Sequence, residues 1–199
     1  MITPSEREQI IALINREVVP ASGCTEPIAV ALCVAKATET LGCKPEKIQA
    51  LLSANILKNA MGVGIPGTGM IGLPIAIALG ALIGKSEYQL EVLKDSTPEA
   101  VEEGKKLIDS QAINIALKYG IEEKLYIEII CEAQGKKATA IISGGHTNFV
   151  YVARDGEVLV NKQTSAADEA AADDVELTLR KVYDFTTTSP IEELKFILE

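Results

Sequence analysis

The sequence is 199 residues long, 47% apolar and 24% charged, with a formal net charge of −9. That length supports one generous core or two small ones without disulfide staples, and the acidic balance argues against nucleic acid, whose phosphate backbone needs a basic patch. Residues 1–84 carry six basic and six acidic side chains, so the whole acidic excess falls in residues 85–199, where it reads as a solvated surface.

The four cysteines, Cys24, Cys33, Cys43 and Cys131, form no C-x-x-C pair, and the N-terminus Met1-Ile2-Thr3-Pro4 has neither a basic n-region nor an apolar h-region. Reduced thiols in a cytoplasmic protein are expected. One histidine, His146, and no H-x-x-x-H spacing leave no self-contained zinc site, so any metal would need ligands from outside this chain.

Thr3-Pro4-Ser5-Glu6 combines an N-cap threonine, proline at the first helical position and a glutamate three residues after the cap. A helix is expected there, with Ile10, Ile11, Leu13, Ile14 and Val18 as its apolar stripe and Pro20 as its stop. The break Pro20-Ala21-Ser22-Gly23-Cys24-Thr25-Glu26-Pro27 follows, and a second helix can begin at Glu26 or Pro27. Cys24 then lies just outside a helix N-terminus, where free amides and the helix dipole favour an anion and lower a thiol pKa toward neutral. A thiolate there is a nucleophile, a base or a metal ligand; the alternative is a buried cysteine acting as a small hydrophobe. The second helix runs through Ile28, Leu32 and Val34 to about Leu41, stops at Gly42, and is apolar nearly all round, which places it in the core.

Ile48 to Ser53 reads as a short strand. No charge occurs between Lys58 and Lys85, a length that matches a membrane span. Seven glycines and two prolines in that run argue instead for a glycine-rich loop followed by a buried helix from Leu73 to Ile83. The loop lacks both the Gly-Lys-Ser/Thr ending and the strand–G-x-G-x-x-G–helix arrangement of phosphate cradles. Its glycines permit close backbone approach to a small ligand or to a neighbouring helix, with Lys58 and Asn59 at its entrance.

From Gly84 the texture changes. Tyr88 to Lys94 reads as a strand, and Ser96-Thr97-Pro98-Glu99 opens a helix to about Ser110. Strands are expected at 112–118, 125–133, 137–143, 149–154 and 157–160, with hairpins at Gln134-Gly135 and Asp155-Gly156. Ser143-Gly144-Gly145-His146-Thr147-Asn148 is a second irregular polar stretch, and a lone loop histidine is more often surface than ligand. The expected fold is α+β: a helical part (1–84) with the Cys24 motif and glycine-rich loop, a small, mostly antiparallel sheet domain with one packed helix (85–161), a linker (162–173), and the start of a truncated helical part (174–199). The last part starts near Asp174, with Ser189-Pro190-Ile191-Glu192 as a cap and Leu194, Ile197 and Leu198 as a stripe, and the pattern is unfinished at Glu199.

Together, Ser22-Gly23-Cys24-Thr25-Glu26-Pro27, the run from Lys58-Asn59-Ala60-Met61 to Gly67-Thr68, and Gly145-His146-Thr147-Asn148 resemble the L-cysteine desulfidase family and, with it, the α chain of iron–sulfur L-serine dehydratases. The resemblance implies a [4Fe–4S] lyase that converts L-cysteine to pyruvate, ammonia and sulfide, or eliminates water from L-serine. It implies Cys24 as α-proton base or fourth cluster ligand, and Ser22, Lys58, Asn59, Gly67, Thr68, His146 and Thr147 around the substrate. Family members are about twice this length, with their other cluster cysteines in a C-terminal half absent here. The chain alone is therefore expected to hold no cluster, to be inactive, and to need that half as its partner. A [4Fe–4S] cluster normally takes four ligands, and Cys33, Cys43 and Cys131 do not match the cluster motifs. The neutral, apolar first part also makes homo-oligomerisation reasonable. Neither a membrane nor a nucleic acid is an expected partner. Two further readings stand beside the lyase: a non-catalytic amino-acid-binding or assembly module, and a metal-free cysteine nucleophile with His146 as base.

Overall fold

The computed structural model describes residues 2–162 and 175–198. Contacts divide the chain into two units, Met1–Pro20 with Ser165–Glu199, and Ala21–Thr164. The first unit opens with helix α1 (Pro4–Glu17), where the predicted capping box forms: the Thr3 hydroxyl accepts from the Glu6 N–H, and the Glu6 carboxylate accepts from the Thr3 N–H. Those hydrogen bonds, with Lys181 as a cationic neighbour, pull the Glu6 carboxyl down to about 2.

The second unit is built on helix α2 (Thr25–Leu41), which ends on Gly42 in the left-handed conformation as its sequence predicts. Strand β1 (Lys47–Leu52), helix α3 (Ala54–Ala60), a two-strand flap of β2 (Gly64–Ile65) and β3 (Met70–Ile71), and helix α4 (Leu73–Leu82) follow. The uncharged run is thus a flap and a ten-residue helix. Among the described residues no helix is long and apolar enough to cross a membrane. Then come helix α5 (Pro98–Asp109) and strands β4 (Ile113–Leu117), β5 (Tyr126–Ala133), β6 (Lys136–Ser143), β7 (Phe149–Arg154) and β8 (Glu157–Asn161).

Six strands form one sheet in the order β4-β1-β5-β6-β7-β8, parallel only between β1 and β4. The turns Gln134-Gly135 and Asp155-Gly156 hold positive φ at both residues, as two-residue hairpins between right-twisted strands require. The strand from the helical part therefore inserts inside the later sheet, and Gly84 lies within the second unit. Of the expected linker, all but Lys162 lies outside the described residues.

The expected strand at Tyr88–Lys94 is absent. A 3-10 helix spans Ser86–Glu91, and local bonds close the segment: Tyr88 N–H to Lys85 O at 3.1 Å, Val92 N–H to Gln89 O at 3.1 Å, Lys94 N–H to Glu91 O at 2.8 Å. Leu90, Val92 and Leu93 are all buried, a spacing no strand can put on one face, so the backbone satisfies itself in i to i+3 turns.

Helix α2 packs on β5 and β6 on one side and on α4 on the other, and α5 covers α4. The α2–α4 approach depends on Gly80: a Cβ there would lie 2.6 Å from the Ala31 carbonyl oxygen. Cys33 is fully buried, its Sγ 3.3 Å from the Ala140 carbonyl oxygen, and Cys131 is likewise core, so both thiols serve packing.

The first unit resumes with helix α6 (Leu179–Thr188), capped by Thr178, and a 3-10 helix over Ile191–Leu198. The helical start expected near Asp174 lies outside the described residues. Arg7 on α1 gathers the unit. Its guanidinium donates to the Ser189 hydroxyl at 2.8 Å and to the Thr188 hydroxyl at 3.1 Å, pairs with Glu193 at 3.3 Å, and lies over the buried Phe185 ring.

Gly80→Ala tests the inter-helix contact. The clash is with backbone, which has no rotamer to yield, so overpacking outweighs the helix-propensity gain and stability falls by about 1–2 kcal/mol. Urea unfolding followed by circular dichroism measures it; an unchanged midpoint would show that α2 and α4 have room to separate.

Candidate functional site

Cys24 is the N-cap of α2, so the helix begins at Thr25, just before the expected start at Glu26 or Pro27. It is exposed and makes no capping hydrogen bond. Its thiol instead donates to Glu26 Oε2 at 3.1 Å, an oxygen that also accepts from the Thr25 hydroxyl at 3.4 Å. The other carboxylate oxygen, Oε1, accepts from Asn59 Nδ2 on α3 at 3.2 Å. One carboxylate thus joins the start of α2 to the end of α3.

The electrostatics reverse the expectation for Cys24. Its hydrogen bond to Glu26 is the largest cause of a thiol pKa raised above the ordinary value, followed by burial and by the carboxylate's charge. First-turn amides oppose this and do not win, because a full negative charge in contact outweighs partial dipoles. The same hydrogen bond lowers the Glu26 pKa, with smaller help from Asn59 and from the positive form of His146. At neutral pH the pair is a protonated thiol on an ionised carboxylate.

Glu26 is the residue the sequence reading missed, having counted it only as a helix start. Its signal was present: an acidic residue in the first helical turn is held there by the dipole, two positions from the cysteine. His146, on the β6–β7 loop, is half-buried and reaches the site through the field it exerts on Glu26, while Glu26 holds the direct contact with the thiol. Thr147, beside it, is exposed; the loop closes on itself through Asn148, whose side-chain amide donates to the Ser143 carbonyl at 2.9 Å.

Thr68 is committed to the flap, where its hydroxyl donates to the Ile65 carbonyl at 2.7 Å and accepts from the Met70 N–H at 3.0 Å. Lys58 is exposed on α3 and, one residue from Asn59, points about 100° round the helix from it. Ser22 and Gly67 meet at a second place, a cavity of about 220 Å³ lined also by Ile28, Ile65, Pro66, Leu93, Lys94 and Ser96. Flap and cysteine loop are in contact: Gly23 has φ +133°, and a Cβ on it would lie 2.8 Å from Pro66 Cγ. Among the described residues, no three His, Cys, Asp or Glu side chains are grouped so as to hold a metal ion.

The Glu26 contact is tested by the ultraviolet absorbance of the Cys24 thiolate, taken as the difference between the protein and its Cys24→Ser variant. The thiolate should form above the ordinary cysteine range, and Glu26→Gln should move the midpoint to lower pH, because the neutral amide no longer stabilises the protonated thiol. A midpoint unmoved by Glu26→Gln would mean that the carboxylate does not hold this proton.

The chain is similar to proteins named UPF0597 protein. The one from Phocaeicola vulgatus is 79% identical over 199 residues, all of this chain and 46% of that relative. The one from Bacteroides thetaiotaomicron is 69% identical over 195 residues, 98% of this chain and 46% of the relative. The one from Aeromonas hydrophila subsp. hydrophila is 42% identical over 192 residues, 95% of this chain and 43% of the relative. The chain thus spans about half the length of the curated relatives it matches. No family model and no solved structure matches it.

These likenesses overturn the expected place in the L-cysteine desulfidase and serine dehydratase group: the relatives bear neither name. The expected function as the N-terminal portion of a [4Fe–4S] lyase falls with it, since neither a relative's name nor a cluster of ligating side chains among the described residues supports it. The amino-acid-binding or assembly module gains no support from them either.

Proposed function

We propose that the chain carries a thiol-nucleophile site in which Cys24 attacks an electrophilic carbon of a small substrate, Glu26 is the general base and Asn59 is the positioning residue for Glu26. The observation that carries this reading is the chain of contacts Cys24–Glu26–Asn59, at 3.1 and 3.2 Å. A nucleophile within hydrogen-bond reach of a base that a third group orients is the general arrangement for activating a weak nucleophile.

In the step itself the S–H bond breaks as the sulfur–carbon bond forms. The proton passes to Glu26, and the electron pair of a substrate carbonyl moves to its oxygen. The raised thiol pKa fits this order, because the proton leaves during attack, when the incoming electrophile draws charge off the sulfur. First-turn N–H groups of α2, which no Cys24 side-chain cap occupies, favour the negative charge that develops. Asn59 and His146 are further causes of the lowered Glu26 pKa, so the carboxylate is ionised and able to accept.

Acylation by p-nitrophenyl acetate tests the base. Release of nitrophenol with a matching mass increase on Cys24 should show a pH-independent plateau between the titrations of Glu26 and Cys24. Glu26→Gln should remove the plateau and cut the rate at pH 6 by at least about tenfold, less than the about 10²–10⁴-fold a general base typically contributes because the lower thiol pKa returns part of the loss. Asn59→Ala should cost less, about threefold, through loss of orientation. If the wild-type rate simply tracks the thiolate fraction, and Glu26→Gln is faster at every pH, Glu26 is no base.

A further inference from the structure

Beside the first turn of α2 lies the cavity where Ser22 and Gly67 meet. Its floor is apolar and deeply buried: Ile28 is 1% exposed, Ile65 3% and Leu93 5%. Ser22, Ser96 and Lys94 are the polar residues of its lining. Two features tie it to Cys24. Ser22, in its lining, is two residues before Cys24. Pro66, also in its lining, lies where a Cβ on Gly23, the residue next to Cys24, would clash.

We infer that this cavity is the recess for the non-reacting arm of the Cys24 substrate, and that the arm is short, aliphatic and uncharged. The inference rests on the proposed thiol site and adds its substrate class. Size sets the first limit. At about 30 Å³ for each water-sized volume, about 220 Å³ admits about seven heavy atoms, well below the range of a nucleotide or drug-sized pocket.

The lining sets the second limit. Burying apolar surface on Ile28, Ile65 and Leu93 favours a hydrocarbon at about 25 cal/mol per Å², whereas a charged group on that floor would lose its water without a counter-charge. Lys94 does not supply one: its ammonium lies 3.8 Å from Glu91 and 3.8 Å from the Tyr88 ring centroid, so its charge is already engaged at the rim. The Ser96 hydroxyl donates to the Leu93 carbonyl at 2.8 Å, which steadies the lip. The class that fits is a small carbonyl compound with an unbranched or singly branched arm of a few carbons.

A series of N-alkylmaleimides tests this through any thiol addition at Cys24, whether or not Glu26 is a base. Rates of labelling, read by peptide mass at Cys24 and normalised to free cysteine, should be about fivefold or more higher for N-propyl- than for N-methylmaleimide, and should fall again for the N-cyclohexyl reagent. Ser96→Leu, which fills the recess from its lip, should abolish the propyl preference, bringing the normalised N-propyl rate down to that of the N-methyl reagent. Leu93→Ala should move the optimum to a longer chain and gives a second reading should Ser96→Leu fold poorly. A normalised rate independent of chain length, or Ser96→Leu slowing both reagents equally, overturns the recess. Failure of the acetate plateau with the propyl preference intact would overturn the base alone.

Discussion

Helix α2 is apolar on every side over Pro27–Ala35, and that constraint arranges the rest of the second unit. Eleven of its seventeen residues are buried. A helix without a polar face cannot lie on a surface, so it needs a cover all round: strands β5 and β6 on one side, α4 on another, and the 3-10 turns after α4 on a third. Each fully buried Ile, Leu or Val in it contributes about 1.5–3 kcal/mol of apolar burial. The close cover is possible because Gly80 and Gly84 replace side chains with backbone where α4 meets α2, against Ala31 and Ala35. With its middle enclosed, the helix carries its ionisable side chains toward its ends, Glu26 at the start and Lys36 and Glu39 toward the finish.

The start is one place where charge is permitted. Glu26 sits in the first turn, half-buried, holding Cys24 with one oxygen and Asn59 with the other. The dipole that a sequence argument assigns to the thiol is instead taken up by the carboxylate, a stronger acid and therefore the group that ionises. The two pKa values are pushed apart, thiol up and carboxyl down, so the proton rests on sulfur and the carboxylate stays ionised. The flap, with Pro66 seated on Gly23, fixes the backbone just before the cap.

Where one segment decides its own structure, the sequence was legible. The capping box at Thr3, the stop at Gly42, the two hairpins with Gly at their second residue and the extent of α4 are local, and each appears as expected. The misses are non-local. Tyr88–Lys94 has strand-like composition, but its path is set by the wall of α2 it must cover. Nothing within residues 47–52 says that this strand lies between β4 and β5. The site divides the same way: Cys24 stands out as an N-terminal thiol, while its partner Glu26 is hidden by the commonness of acidic residues in first turns. Resemblance through short motifs gave a chemistry that the relatives' names do not bear out, whereas the Cys24–Glu26–Asn59 contacts support the thiol chemistry proposed above.

The position of β1 imposes an order of assembly. The strands β5 to β8 form a meander of adjacent antiparallel neighbours joined by short loops, so their contacts close cheaply. By contrast, Ile48 must find both Ile113 and Cys131, far along the chain, and its pairing with β4 is parallel, reached only after α3, α4 and α5 have been made. Contacts of such sequence separation are the slow ones. The meander can form before β1 arrives, and β1 docks against the edge of β5 late, bringing β4 to its outer side. Until then that edge, like the outer edge of β8 in the finished sheet, presents unpaired N–H and C=O groups to any other chain.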